Sequence, residues 1–170
     1  MVAAFKLRCD AWGARTMDSG RSEQGMSSYR NLVLELGVDF VIMYFVMYTM
    51  IDSTAHLRLN VNNVYMTLMM VAPMALVMLV AMRSMFRQAR WNRVIAVVSV
   101  AIFGVSFWAM RTQAAVGDRE FLRSMIPHHS GAILMCEQAS LHDPEVIMLC
   151  GNIVASQKAE IAQMERLLAR

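Results

Sequence analysis

Between Met125 and Met164 the chain gathers side chains that bind soft metals. Met125-Ile126-Pro127-His128-His129 is followed by Met135-Cys136, an Asp143-Pro144 break, and then Cys150, Gln157 and Met164. Thioether, thiolate and imidazole together select copper, above all Cu(I), over hard cations, and silver as a second soft ion.

Two helices must carry these groups. Asp118 is expected as an N-cap with Glu120 in an acidic first turn, and the first helix runs to about Ser140. Asp143-Pro144 reads as an N-cap followed by a first helical residue, so a second helix runs from Pro144 to near Arg170. The connection Leu141-His142-Asp143 is short, which makes the two antiparallel neighbours. At about 100° per residue, Met125, His128, His129, Ala132, Met135 and Cys136 fall within about 120° of one face. Cys150, Val154, Gln157, Ile161, Met164 and Leu168 form the matching stripe on the second helix. One antiparallel register faces Cys136 with Cys150, His129 with Gln157 and Met125 with Ile161, with Met164 a turn further on. It predicts a copper site of Met125, His129 and Met164, with His128 as a further ligand and Gln157 orienting an imidazole. Pro127, mid-helix, strips the Arg123 carbonyl of its helical donor.

Each group also has a plainer reading. Methionines fill cores, and a histidine on a buried stripe is commonly a hydrogen-bonded core group. Cys136 and Cys150 fit a disulfide, a pair of soft-metal ligands or small buried apolar residues, in that order. The third cysteine, Cys9, stands apart.

Ahead of the hairpin lie three apolar spans, 34–51, 64–82 and 94–110. Crossing a bilayer takes roughly 17–25 apolar residues. The whole chain is 57% hydrophobic and 17% charged, which is too apolar for an ordinary soluble domain. Arg15, Arg21 and Arg30 precede the first span, and Arg83, Arg87, Arg90 and Arg93 separate the second from the third. Three crossings put both groups on one side, expected to be cytoplasmic. Residues 1–30 then form a loosely ordered cytoplasmic tail with no cleavable signal peptide, residues 31–111 the membrane region, and residues 112–170 a periplasmic metal-binding hairpin. No basic run alternates with aromatics, so nucleic acid is not an expected partner. Met66, Met70, Met74, Met78 and Met82 recur every four residues, and Met43, Met47 and Met50 line the first span. The four-residue step drifts about 40° each time, so the row reads as a packing ridge. Glu35 and Asp39 are expected to pair with Arg30, Arg83 or Arg87 at the interface.

Phe121-Leu122-Arg123-Ser124-Met125-Ile126-Pro127-His128-His129, Ala132-Ile133, Asp143-Pro144-Glu145, Ser156-Gln157, Glu160-Ile161 and Met164 together resemble the domain of unknown function 305 family. The resemblance covers about residues 118–170, and the spans look like the family's membrane-anchored branch. It implies an all-α, ferritin-like helical bundle. It also implies kinship with periplasmic copper-binding proteins, with Met125, His128, His129, Met135, Gln157 and Met164 as the corresponding site. A lone hairpin is half of a four-helix bundle, so a homo-oligomer is an expected partner. The expected function is non-enzymatic: capture or buffering of copper, or silver, at the outer face of a bacterial inner membrane. A structural or partner-binding membrane subunit is the second reading. A metalloenzyme comes last, because di-iron bundles need Glu-x-x-His pairs and no Glu stands three residues before His128 or His129.

Overall fold

A computed structural model describes residues 27–170. The tail expected over residues 1–30, apart from its last four residues, lies outside the described residues, as does Cys9. The described chain is all-α. Three helices are long and apolar enough to cross a membrane: α1 (Ser27–Met50), α2 (Val61–Ala81) and α3 (Ala89–Thr112). Two more form the hairpin, α4 (Asp118–Gln138) and α5 (Pro144–Leu168).

The spans are longer than hydropathy alone outlines. Within the described residues α1 includes Tyr29 and Leu32, which are buried against Leu79 and Phe86 near the α2–α3 turn. Tyr29 Oη donates to Asn92 Oδ1 at 2.7 Å and accepts from Gln88 N–H at 3.1 Å. These contacts bring Arg30 to the same end as Arg83, Arg87, Arg90 and Arg93, so the hairpin leaves from the opposite end. The pairing expected for Glu35 and Asp39 does not occur. Neither forms an ion pair among the described residues, because Glu35 sits on the outward face of α1 with Val33, Leu34 and Val38. Along α2 the methionine row wraps as its spacing requires: Met66 and Met70 are exposed while Met78 packs into the inner cluster. α2 runs on through Pro73, and α4 through Pro127.

At the hairpin end, the last turn of α1 tightens to a 3₁₀ turn over Met47–Met50. The loop that follows is held by polar groups that cannot be left bare. Tyr48 Oη donates to the Arg58 carbonyl at 2.8 Å. Asn60 Nδ2 donates to the same carbonyl at 3.0 Å. Asn60 also caps α2, its Oδ1 accepting from Asn63 N–H at 2.9 Å. α3 ends at Gln113, whose left-handed φ of 52° turns the chain toward α4, and Tyr65 Oη donates to the Ala114 carbonyl at 2.8 Å. Gly117, not Asp118, is the N-cap of α4. Asp118 instead stands in the first turn, where its charge meets the positive end of the helix dipole. α5 starts as expected, with Asp143 Oδ1 accepting from Glu145 N–H at 2.8 Å and Pro144 inside the first turn.

α4 and α5 pack through Ile126, Ile133, Ile161 and Met164, with Leu122, Met125, Val154 and Leu168 at the edges. α4 also docks on the bundle. Ser130 is fully buried, and its Oγ accepts from Asp52 N–H at 2.8 Å and lies 2.9 Å from His56 Nδ1. Beside it the α1 backbone comes so close that a Cβ on Gly131 would sit 3.2 Å from the Met50 carbonyl oxygen.

Two substitutions test this docking. Ser130→Ala leaves the Asp52 N–H without its acceptor and should cost about 1–3 kcal/mol. Gly131→Val forces a branched side chain against the Met50 carbonyl and should cost about 1–3 kcal/mol by overpacking. Equilibrium unfolding of the full chain in micelles reads both, and an unchanged stability for both variants would show that α4 is not anchored here.

Candidate metal centre

The stripe expected on α4 divides in two. Taking Met125 as the origin of a helical wheel, the buried residues facing α5 centre near 70°: His129, Leu122, Ile133 and Ile126. The face toward the bundle centres near 280°, with Met135, His128 and Ala132. The expected stripe lay between the two. α4 has two neighbours and therefore two partly covered faces. α5 has one neighbour, and its stripe of Cys150, Val154, Gln157, Ile161, Met164 and Leu168 lies in the seam as expected.

In the seam, Cys136 and Cys150 form a disulfide with Cα atoms 5.3 Å apart, the first of the three readings. Both sulfurs are thereby removed from any thiolate ligand set. His129 is buried, but its partner is Glu160, one turn past Gln157. Helical side chains lean toward their own N-termini. On antiparallel helices, long side chains therefore meet at positions further along than the backbone register gives. Short cysteines pair in register, while Glu137 accepts from Lys158 Nζ at 2.8 Å across more than two turns of offset.

His129 Nδ1 lies 2.9 Å from the Met125 carbonyl, and its Nε2 lies 2.7 Å from Glu160 Oε2. A carbonyl and an ionised carboxylate only accept, so both ring nitrogens of His129 face acceptors. Ser156 Oγ–H donates to Glu160 Oε1 at 2.8 Å, and this bond, followed by the one to His129, holds the Glu160 carboxyl below its ordinary range. Met164 is buried in the seam and Gln157 is half-buried there.

On the other face, Met125, His128 and Met135 line a cavity of about 610 Å³. The opposite wall comes from the outer ends of the spans: Met47 and Met50 of α1, Met66 of α2 and Met110 of α3. Six of the fourteen lining residues are methionine, against 18 of 170 in the chain. That enrichment sets this cavity apart from a random gap in a methionine-rich protein. His128 is exposed, 6.0 Å from the His129 ring centre, and no hydrogen bond to another described residue ties it. Asn62, also on the wall, keeps its Oδ1 buried with no donor. Among the described residues no three His, Cys, Asp or Glu side chains converge. The centre thus offers neutral sulfur and one free imidazole, a donor set for soft ions.

Sequence reasoning placed Met125, His128 and Met135 on one face. By sequence Met47, Met50 and Met66 read as residues of the spans, and Glu160 carries no assigned role. Their common signal was residue type; the proximity came from the docking of α4.

The model of the family described as Domain of unknown function (DUF305) matches residues 105–168. Uncharacterized protein L153 of Acanthamoeba polyphaga mimivirus is 34% identical over 119 residues, which is 69% of this chain and 76% of that protein. This chain belongs to the DUF305 family. No solved structure matches it. The DUF305 match takes in the last third of α3 and the hairpin, so Met47, Met50 and Met66 lie outside it.

Two measurements follow from the seam. A carboxyl with a lowered pKa stabilises the fold above its ordinary value of 4.5 and loses that contribution as pH falls through its folded value. Glu160→Gln should therefore flatten the acid limb of a stability profile while changing little of its alkaline limb. An unaltered acid limb would show that the pair contributes nothing. Reduction of Cys136–Cys150 reopens a loop of about 15 residues and should cost about 3 kcal/mol in the chain-entropy model. Unfolding with and without reductant reads that loss, and equal stabilities would place the effect of the bridge elsewhere.

Proposed function

We propose that this chain is a membrane-anchored, non-enzymatic protein that captures or buffers copper, or silver, at the outer face of a bacterial inner membrane. One observation carries the reading: hairpin Met125, Met135 and His128 line a cavity whose other wall is also methionine. Thioethers hold Cu(I) and Ag(I) and give Zn(II) little. The arginine-rich end of the bundle supports the orientation, because short loops rich in arginine stay in the cytoplasm. The hairpin then lies in the periplasm, where the Cys136–Cys150 bridge suits an oxidising compartment. A second copy would supply the other half of a four-helix bundle.

One further observation favours a second reading, a partner-binding subunit. Val146, Ile147, Met148 and Leu149 are 40%, 50%, 65% and 57% exposed in one run at the hairpin tip. Lipid does not reach a tip pointing into the periplasm, and a partner protein would cover such a patch.

Titration of the full chain in micelles separates the two. The metal reading expects tight binding of Ag(I) and of Cu(I) under reducing conditions, with Zn(II) at least tenfold weaker. Binding of none of them leaves the docking subunit. A reporter active only in the periplasm, fused after Arg170, should be active; activity of a cytoplasm-only reporter instead would reverse the orientation.

A further inference from the structure

The three spans carry more than an anchor needs. α1, α2 and α3 each end in the cavity wall, and each brings a methionine to it: Met47 and Met50, Met66, and Met110. Met47 Sδ lies 3.7 Å from the fully buried Thr67 Oγ1, whose hydrogen goes to the Asn63 carbonyl at 2.7 Å. No charged side chain stands among the lining residues. Nothing on the wall therefore offsets a divalent ion, whose desolvation cost rises with the square of its charge. A monovalent soft ion meets neutral sulfur there.

We infer that the metal site is composite. Span methionines Met47, Met50, Met66 and Met110 complete, with the hairpin's Met125, Met135 and His128, a thioether cage for Cu(I) or Ag(I). This rests on the soft-metal reading above and extends it to Met47, Met50 and Met66, which the DUF305 match does not include, and to Met110 at its edge. A single ion fills a small part of about 610 Å³. Methionine has three rotatable side-chain bonds, so thioethers from both walls swing inward to reach the ion. Binding therefore draws the two walls together and clamps α4 onto the bundle. The membrane region is then part of the receptor, and the ion is held where the hairpin meets the bilayer surface.

Ag(I) is the probe, because it resists redox cycling and binds the same donors. The full chain is labelled on its methionine ε-methyl groups and titrated in micelles. The ε-methyl signals of Met47, Met50 and Met66 should shift together with those of Met125 and Met135. A span variant, Met47→Leu with Met50→Leu, Met66→Leu and Met110→Leu, should bind Ag(I) at least tenfold more weakly. Leucine conserves volume, and each single Met→Leu variant serves as a check on folding by helix content. If the parent binds Ag(I) while only hairpin methyls shift and the span variant binds as tightly, the composite cage is wrong and the soft-metal reading stands. If the parent binds no Ag(I), both fall.

Discussion

The arrangement hangs on one close approach, that of α4 to the end of α1. Gly131 lets the helix come within contact of the Met50 carbonyl, and Ser130 gives the neighbouring Asp52 N–H its acceptor. A larger residue at the first position or an apolar one at the second would remove this docking and leave weaker ties, such as the exposed Arg58–Glu165 pair, beside the covalent link through residues 113–117. Instead α4 is held against two partners at once. The loop it docks on is fixed in turn by Tyr48, Asn60 and the Arg58 carbonyl, so the anchor rests on satisfied backbone groups.

Holding α4 between α5 and the bundle separates two kinds of chemistry by a rotation about one helix axis. The seam is tied by a disulfide, a buried apolar cluster and the His129–Glu160–Ser156 chain of hydrogen bonds. It is built for rigidity, and its histidine is committed. The opposite face is uncharged, rich in thioether, and carries His128 with its ring untied. A rigid seam behind a soft face lets the methionines move while α4 and α5 stay together as one unit. The exposed Lys158–Glu137 pair adds little to this, since solvent screens it.

The DUF305 match covers the hairpin and the end of α3, whereas the cavity needs α1 and α2 as well. The part of the chain that a family comparison recognises is therefore only one wall of the candidate centre. Sulfur is the donor present in excess.

Much of this was legible in the residues themselves. Apolar runs of bilayer length marked three helices, Asp143-Pro144 marked the start of α5, and a short turn made Cys136 and Cys150 neighbours. All of these follow from local periodicity, capping and chain geometry. The seam face of α5 was legible for the same reason: a helix with one neighbour buries one stripe. α4 was not, because a helical wheel shows which residues share a face but not how many neighbours the helix has. Its stripe fell between two faces, sending His128 and Met135 to the cavity and His129 to the seam, with Met125 reaching both. Nor does a backbone register show which long side chains meet, because their lean along the helix moved the partner of His129 from Gln157 to Glu160. Above all, Met47, Met50 and Met66 are far from Met125 in the chain and read as packing there. Only the docking of α4 across the ends of the spans brought those sulfurs to one cavity.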